Sequence, residues 1–536
     1  MKRYLFLFLL SGFCFAGLTQ AKNLIPEDGL RIYTLSLQPN NKARMAIDIK
    51  LSDQASASHK AVVEIWQDDR RLFSKAKNIK PGAEAHIETN LKNCQLWSAQ
   101  NPSLYRLRMT LYAGQQAVEQ RETSFGIRTV KVTANEGIYL NTTPIRLYGI
   151  RWPVQEDWLQ HTTIPAEKAI IARLQDMGCN ALCFPAHELT ESRLDLADQT
   201  GILLMADLSE VGEENIIQEI VRLRNRPSII MWLVGNQSLQ RNTDAEIEQM
   251  TERAKTIREL DPSRLLTAGL KQLNDPIKKG LISQLDIAGL DDCSLRYQEA
   301  YNKTEQHLVI ATRTLINNDD ERKAFPTLPW VTGQFLQTNL VPFITQTDTF
   351  YLYRSLWNKQ NHTLHIASHW NHTDGSYVIA PVYSDLQDVE LRVNENSLEK
   401  DTTHIWQVPF QEGELKAIAY LNGKEVQRTI QKTANNPVHV DLIPFFAGNM
   451  SFITTRITDD QNITCPQNQT PILVEWDGTG SVLGYMTANQ YFPLQGKQNL
   501  IRLQEGTCTL VIDGNGILSV KADNLIGGRL QINHNR

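Results

Sequence analysis

Near its middle the chain reads Arg224-Asn225-Arg226-Pro227-Ser228-Ile229-Ile230-Met231-Trp232-Leu233-Val234-Gly235-Asn236-Gln237. Residues 229–234 are a continuous apolar run that follows a proline and a serine. A short apolar run between turn residues is typical of a strand buried on both faces of a parallel sheet. The run ends at the polar residues Asn236 and Gln237. The stretch therefore predicts a barrel strand that carries polar side chains to its carboxyl-terminal end.

The chain around this strand, from residue 134 to about 345, alternates strands with helices. Helical patterns cover Ala166 to Met177, Glu214 to Leu223 and Ala245 to Leu260. Strands that alternate with helices predict a parallel sheet, and eight of them predict a closed (β/α)₈ TIM barrel. A doubly wound open sheet is the structural alternative, but no glycine-rich phosphate loop follows any candidate strand. The candidate strands begin near Ile145, Ala181, Ile202, Ile229, Leu265, Asp286, Leu308 and Trp330.

Residues 22–133, before the barrel, have a different pattern. Apolar and polar residues alternate in short runs, for example from Arg44 to Ile49 and from Tyr105 to Leu111. Alternation with a period of two, with turn residues between the runs, predicts a β-sandwich.

The order of these motifs resembles glycoside hydrolase family 2, the β-galactosidase and β-glucuronidase family. In that family the counterpart of residues 224–237 closes on Asn-Glu, and Asn101-Pro102-Ser103-Leu104-Tyr105 is similar to its immunoglobulin-like domain. The resemblance implies a multidomain α/β plus all-β fold. It comprises an immunoglobulin-like β-sandwich at 22–133, the TIM barrel at 134–345, a β-sandwich at 346–436 that starts around Tyr351 to Trp357, and a C-terminal β-sandwich at 437–536. The jelly-roll domain that stands first in the family is expected to be absent.

The resemblance also implies where the catalytic groups of the family stand. Retaining glycosidases use two carboxyl groups about 5–5.5 Å apart, an acid/base and a nucleophile. The acid/base closes the fourth strand, where this chain has Gln237; the nucleophile closes the seventh, where Thr312-Arg313-Thr314 fits a Ser/Thr-Glu-Thr pattern. A carboxamide has no proton to donate near neutral pH, and a guanidinium cannot attack carbon. We therefore expect that Gln237 and Arg313 replace the catalytic pair.

Other positions at the same end of the barrel depart from the family pattern. Arg151-Trp152-Pro153 follows the first strand where the family has Asn-Arg-His, Cys183 stands where the second strand has an arginine, and Gln337 stands where a sugar-stacking tryptophan is common. If the concavity still holds a ligand, the residues that we expect to line it are Asn236, Asp207, Trp152, Trp330 and Asp291.

These substitutions leave three functional hypotheses open. The first is an inactive glycosidase relative that binds a carbohydrate or a protein. In it Arg313 either attracts an acidic group such as a uronate or sulfate, or pairs with Asp207, Asp291 or Asp292 and fills the pocket. The second is an active exo-β-glycosidase with relocated carboxylates, drawn from Asp207, Asp291, Asp292, Glu210, Glu213 and Glu214. The third is a structural β-rich module whose barrel has no concavity.

The amino-terminal residues indicate export. Met1-Lys2-Arg3, an apolar stretch and small residues before Lys22 predict a signal peptide over residues 1–21 and a secreted or periplasmic protein. Cys14 follows Phe13 rather than a small residue, so we do not expect a lipoprotein. A net charge of −5 gives no basic surface for nucleic acid, and no later segment has the 18 consecutive apolar residues of a membrane span.

The cysteines give no sign of a metal site. Six of the seven follow the predicted cleavage site, and none has the spacing of zinc ligands with histidines nearby, so we predict no metal and no other cofactor. Cys179 and Cys183 are expected to be buried thiols, and an oxidising compartment permits a bridge between Cys465 and Cys508. The sequence does not indicate an oligomeric state.

Overall fold

The computed structural model describes residues 24–55, 57–133, 136–153, 156–236, 243–291, 297–304, 308–315, 331–487, 490–496 and 498–534. The chain forms two compact units. The first contains the residues before Ser98 together with Ser103–Thr129 and Ile217–Pro227. The second contains Ser98–Pro102, Val130–Ile216 and the residues from Ser228 onward.

The first unit is a β-sandwich of antiparallel strands. Its strands are β1 (Leu30–Gln38), β2 (Lys42–Lys50), β3 (His59–Gln67), β4 (Arg70–Ile79), β5 (Glu84–Leu91), β6 (Tyr105–Ala113) and β7 (Gln116–Phe125). They form two sheets, β1-β2-β5 and β4-β3-β6-β7. In β3 every second side chain is buried, because successive side chains of a strand point to opposite faces of the sheet. Both sheets contribute to one core that includes Ile47, Val63 and Leu107.

The Arg-Asn-Arg-Pro stretch quoted above packs within this first unit. The Asn225 side chain accepts a hydrogen bond from the Ile32 backbone N–H at 3.1 Å and donates one to the Leu30 carbonyl at 3.0 Å. It therefore occupies backbone groups at the edge of the β1-β2-β5 sheet. Arg128 Nε donates to the Pro227 carbonyl at 2.6 Å. This part of the motif has a structural role.

The second unit contains the predicted parallel barrel. The short antiparallel sheet β8 (Val130–Thr133), β9 (Gly137–Leu140) and β10 (Thr143–Ile145) precedes it. The eight described barrel strands are β11 (Leu147–Arg151), β12 (Ala181–Pro185), β13 (Leu203–Asp207), β14 (Ile229–Asn236), β15 (Leu265–Gly269), β16 (Ala288–Asp291), β17 (Val309–Leu315) and β18 (Val331–Gln337). Their order is β15-β14-β13-β12-β11-β18-β17-β16, and the Leu270 N–H donates to the Gly289 carbonyl at 3.1 Å, which brings β15 to β16.

Helices connect or follow the barrel strands. They are α1 (Ile164–Met177), α2 (Glu191–Thr200), α3 (Ile216–Leu223), α4 (Asp244–Leu260), α5 (Asn274–Lys278), α6 (Tyr297–Lys303), α7 (Val341–Ile344) and α8 (Asp348–Trp357). Local sequence sets their ends. Pro165 lies in the first turn of α1, where a missing N–H leaves no helix bond unmade, and Gly178 ends the helix with a φ of 98°. Thr243 and Glu246 form a reciprocal capping box at the start of α4.

One expected element differs. We expected Tyr351 to Trp357 to start the second sandwich, but these residues lie in α8, which contacts α1 and α7. The buried residues Phe350, Tyr353 and Trp357 explain the difference, because intervals of three and four residues place side chains on one face of a helix. The aromatic residues therefore cover the barrel, and the sandwich begins at the next strand.

Two further β-sandwiches follow the barrel in the second unit. The first comprises β19 (Leu364–Ile366), β20 (Tyr377–Ser384), β21 (Asp388–Val393), β22 (Asn396–Ser397), β23 (Ile405–Pro409), β24 (Glu414–Leu421) and β25 (Lys424–Lys432). The second comprises β26 (His439–Ala447), β27 (Met450–Thr458), β28 (Ile472–Gly478), β29 (Ser481–Thr487), β30 (Gln490–Pro493), β31 (Gln498–Ile501), β32 (Thr507–Asp513), β33 (Gly516–Ala522) and β34 (Gly528–Ile532). Each has its own apolar core, around Trp370 in the first and Trp476 in the second. The predicted fold class, a TIM barrel with flanking β domains, is confirmed.

The described cysteines are thiols. Cys94, Cys179, Cys183, Cys465 and Cys508 are all free and buried. Cys179 and Cys183 are therefore the buried thiols that we expected, whereas the bridge that an oxidising compartment permits between Cys465 and Cys508 is not formed. Among the helices in the described ranges, none is both long enough and apolar enough to cross a membrane.

Candidate active site

A buried ion pair fixes the fourth barrel strand, β14. Asp261 accepts hydrogen bonds from Trp232 Nε1 at 3.1 Å and from Arg264 Nη1 at 2.7 Å, and Arg264 Nε donates to the Ile229 carbonyl at 2.8 Å. Trp232, Asp261 and Arg264 are at most 3% exposed. Because the two charges are paired and hydrogen-bonded, they can stay in the interior. The tryptophan of β14 is therefore a packing residue.

Charged side chains occupy the carboxyl-terminal end of the barrel, the end at which barrel enzymes carry their catalytic groups. β11 ends at Arg151 and β13 ends at Asp207. Arg151 Nη2 donates to Asp207 Oδ2, while Asp207 Oδ1 accepts hydrogen bonds from the Ser209 backbone N–H, at 2.9 Å, and from the Ser209 hydroxyl. Both oxygens of Asp207 are engaged, and the residue is 4% exposed.

A second ion pair joins the sixth and seventh barrel strands. Arg313 Nε donates to Asp291 Oδ1 at 2.7 Å, and its Nη1 donates to Gln337 Oε1 at 3.3 Å. The Asp291 side chain is fully buried, whereas 16% of the Arg313 side chain is exposed. Of the alternatives that the sequence leaves open, Arg313 therefore pairs with Asp291, and Asp207 is bound by Arg151.

The two ion pairs are neighbours. Arg151 Nη1 donates to the carbonyl of Thr312, the residue before Arg313, at 3.3 Å. Burial alone would lower the pKa of Arg151, but its interactions with Cys183, Asp207 and Asp291 outweigh burial and raise that pKa above its ordinary value. Burial also raises the pKa of the Cys183 thiol, to about 12. The barrel end thus holds two paired cations and two paired anions, beside a thiol that stays neutral at physiological pH.

Two residues that we expected to line a ligand are packed instead. Trp152 is 4% exposed and its ring stacks on Phe184 with ring centroids 5.0 Å apart. Asn236 is 1% exposed, and a Cβ at Gly269 would lie only 3.1 Å from its Cγ. Asn236, Asp207 and Asp291 do lie at the ends of their strands, but all three are buried.

Three predicted positions lie outside the described residues, namely Gln237, Trp330 and Asp292. Within the ranges that the structure describes, no three His, Cys, Asp or Glu side chains converge on a space that could hold a metal ion.

Of the acidic residues after β13, Glu213 has a structural role. Glu213 accepts a hydrogen bond from Arg253 Nε at 2.8 Å, and the Arg253 side chain is buried. Glu210 lies 3.8 Å from His187 Nε2, and Glu214 is exposed. Glu213 is thus held in an ion pair, like Asp207 and Asp291.

Sequence reasoning missed Glu156, which follows β11. Its carboxylate accepts a hydrogen bond from Trp158 Nε1 at 2.5 Å and another from the Leu340 backbone. Burial raises the pKa of Glu156 to about 7, although these two bonds favour the charged form. No local motif marks this residue, because Leu340 comes from the loop after β18, far along the chain.

Comparison with known proteins relates this architecture to one family. Residues 30–128 match the family model described as Glycosyl hydrolases family 2, and residues 206–324 match the model of the TIM barrel domain of Glycosyl hydrolases family 2. The chain is a family 2 glycosyl hydrolase-like protein. The resemblance stated from the sequence is thereby confirmed. Residues 380–427 of this family 2-like protein match a Domain of unknown function (DUF4982).

Individual relatives of the family 2-like protein are distant. It is 23% identical to Beta-galactosidase BoGH2A of Bacteroides ovatus over 80% of the chain and 65% of that protein. It is 25% identical to a Beta-glucuronidase of Streptococcus agalactiae over 38% of the chain and 37% of that protein. The chain thus spans less than two thirds of the length of these curated relatives. A crystal structure of a glycosyl hydrolase family 2 member from Bacteroides cellulosilyticus has the same fold, with a TM-score of 0.77 at 21% identity over 95% of the chain and 79% of that structure.

Proposed function

We propose that this family 2-like protein is exported and binds carbohydrate without hydrolysing glycosidic bonds. The observation that carries the proposal is the state of the two acidic residues at the barrel end. Asp207 and Asp291 are at most 4% exposed, and each is bound by an arginine. Both carboxylates are therefore almost inaccessible to a sugar ring.

Hydrolysis with retention requires one carboxylate in contact with the anomeric carbon. At the position expected for that nucleophile stands Arg313, whose guanidinium is charged at any ordinary pH and has no electron pair to donate to carbon. Asp291, an acidic partner of Arg313 among the described residues, is fully buried. The pairing of Arg313 with a buried aspartate therefore favours a packing role for Arg313 over a role in covalent catalysis.

The reaction also requires an acid that protonates the glycosidic oxygen. At the position expected for the acid/base, the sequence has Gln237. A carboxamide has no proton to give near neutral pH, and losing a general acid or base typically costs about 10²–10⁴-fold in rate. The reaction thus lacks both its nucleophile and its acid/base at the positions expected for them.

Carbohydrate is the proposed ligand because the relatives are named as a beta-galactosidase and a beta-glucuronidase. Export is proposed because residues 1–21 have the pattern of a signal peptide. Expression with residues 1–21 in place, followed by cell fractionation and sequencing of the mature amino terminus, tests export. A chain that stays in the cytosol with Met1 intact contradicts it.

Activity is tested with purified mature protein and a panel of aryl β-glycosides, including galactosides and glucuronides. We expect no release of aglycone above the rate in buffer. A revertant that carries Gln237→Glu and Arg313→Glu should also carry Asp291→Asn, because a new glutamate at 313 would otherwise face the buried Asp291 carboxylate. For this revertant we expect turnover of activated aryl glycosides only, because a good leaving group needs little protonation and the other substituted positions remain.

The alternative, an active enzyme with relocated carboxylates, makes an opposite prediction. Native protein would then release aglycone, and that release would be abolished by one of the substitutions Asp207→Asn, Asp291→Asn, Asp292→Asn, Glu210→Gln, Glu213→Gln or Glu214→Gln. This result would overturn the proposal. Release that all six variants retain, and that a mock purification from the same host also gives, would instead come from a contaminating host glycosidase.

A further inference from the structure

A wide cleft lies between the two C-terminal sandwiches, and no barrel strand contributes to it. It is lined by the loop after β19, the turn between β23 and β24, the linker between β25 and β26, and the loop between β27 and β28. Its volume is about 880 Å³. Ligand sites in proteins typically span about 300–1,000 Å³. We call this space the amide cleft.

The lining of the amide cleft is mostly polar. It has five carboxamide side chains and two carboxylates, and the described residues that line it include no lysine or arginine. The carboxylates belong to Glu412 and Asp460, and the carboxamides belong to Asn371, Asn435, Asn436, Gln467 and Asn468.

We propose that the amide cleft binds a neutral oligosaccharide. A carboxamide presents a donor and an acceptor side by side, and a sugar hydroxyl both donates and accepts, so the two match in pairs. Glu412 and Asp460 can accept hydrogen bonds from hydroxyls, whereas they repel a uronate or a sulfate. The inference rests on the proposed carbohydrate-binding function and gives that function a site away from the ion pairs of the barrel.

Hydrogen bonds hold part of the lining in place before any ligand arrives. Asn371 Oδ1 accepts from the Ala434 N–H at 2.8 Å, and Gln467 Nε2 donates to the Asn371 carbonyl at 3.2 Å. Asn435 Nδ2 donates to Asp460 Oδ1 at 3.2 Å. Each of these bonds joins segments that are distant in the chain. A lining that is already ordered loses less entropy when it binds a ligand.

Other polar groups of the amide cleft remain available to a ligand. The Asn436 carboxamide and the Glu412 carboxylate are exposed, and neither makes a side-chain hydrogen bond or ion pair among the described residues. These two groups are therefore the best positions at which to test the inference, because changing them removes no hydrogen bond or ion pair that their side chains make with the described residues.

The test uses isothermal titration calorimetry on the whole mature protein. The neutral probes are β-linked tetrasaccharides of glucose and of galactose, and the acidic probe is a tetragalacturonate. We expect saturable binding of at least one neutral probe and weaker binding of the acidic one. Asn436→Ala should weaken the affinity for the neutral probe about three- to tenfold, because about one hydrogen bond is lost. Asn361→Ala is the matched control, since Asn361 is also an exposed loop asparagine whose side chain has no described partner, and it should change nothing.

Glu412→Gln examines the ligand class separately. It removes a negative charge and keeps a hydrogen-bonding group of the same size, so it should narrow the difference in affinity between the acidic and neutral probes. Tighter binding of tetragalacturonate than of both neutral probes would overturn the inference. If a neutral probe binds and Asn436→Ala leaves its affinity unchanged, the assignment of the amide cleft as the binding site is wrong. The proposed carbohydrate binding would then still stand. If neither neutral probe binds at concentrations up to about 10 mM, its binding free energy is weaker than ~3 kcal/mol. This result would overturn the inference as well.

Discussion

At the scale of single residues, the ion pair of Arg313 and Asp291 is asymmetric in its exposure. The Asp291 side chain is fully buried, whereas 16% of the Arg313 side chain is exposed. Arg313 also donates a hydrogen bond to Gln337. Removing the arginine takes a directly bonded cation from a carboxylate in the interior, and removing the carboxylate leaves a guanidinium that water can reach. The two single substitutions should therefore have unequal costs.

We predict that Arg313→Met lowers the free energy of unfolding by about 3–5 kcal/mol, the usual cost of stranding a buried charge. Asp291→Leu should cost less, and the double variant Arg313→Met/Asp291→Leu should recover most of the loss because neither charge of the pair remains. Urea unfolding of the four proteins measures this. Arg258→Met is the control. Arg258 forms an ion pair with Asp286 in the same barrel, but 36% of the Arg258 side chain and 26% of the Asp286 side chain are exposed. This substitution should therefore lower the free energy of unfolding by at most about 1 kcal/mol. Strictly additive effects of the Arg313 and Asp291 changes would contradict the coupling.

The pairing of these residues was only partly predictable from the sequence. The pairing of Arg313 with an aspartate of the sixth strand could be anticipated, because neighbouring parallel strands bring their carboxyl ends together. The pairing of Arg151 with Asp207 could not, since the partners are separated by 56 positions and lie on β11 and β13, which are not adjacent in the sheet. Side-chain reach across a barrel depends on its curvature, which the sequence pattern does not carry.

At the scale of elements, hydrophobic periodicity located the barrel strands to within two residues of their starts. It succeeded because each strand is a short apolar run between turn residues, so packing and local pattern agree. The pattern was less decisive at α8, where family order suggested a sandwich while Phe350, Tyr353 and Trp357 have helical spacing. The loops could not be predicted, because partners such as Glu156 and Leu340 come from opposite ends of the barrel sequence.

The loop after β11 should make stability depend on pH. Glu156 has a pKa of about 7 in the folded protein, against about 4.3 for an unfolded glutamate. Between these values the folded state binds more protons than the unfolded state, so the free energy of unfolding falls as pH rises. We predict that, between pH 4.5 and pH 8, the free energy of unfolding of native protein falls by roughly 2–4 kcal/mol more than that of Glu156→Gln. The reason is that the uncharged amide removes this pH dependence.

Urea unfolding at several pH values, run in parallel on the two proteins, measures the Glu156 effect. Glu210→Gln is the control, because Glu210 is an exposed glutamate in the loop after β13, and its pH profile should follow that of the native protein. Profiles of native protein and Glu156→Gln that run parallel over the whole range would show that Glu156 is not the group responsible.

At the scale of the whole molecule, the chain combines two compact units that are not continuous in sequence. Residues Ile217–Pro227, between the third and fourth barrel strands, belong to the first unit, where Asn225 bonds to the backbone of β1. The most recognisable motif of the chain therefore serves two purposes. Its first residues pack with the amino-terminal sandwich, and its last residues form a barrel strand. Such motifs can persist for reasons of folding when the chemistry at their end has changed.

This arrangement predicts more than one unfolding transition, because each unit has its own apolar core and multidomain chains commonly depart from two-state behaviour. Ile65→Ala, in the core of the first unit, and Leu266→Ala, in β15 of the second, remove fully buried side chains and should each cost about 2–5 kcal/mol. In scanning calorimetry we expect Ile65→Ala to lower the midpoint of one transition and Leu266→Ala to lower the midpoint of another. If both variants shift one common transition by the same amount, the two cores unfold together and the prediction of separate transitions is wrong.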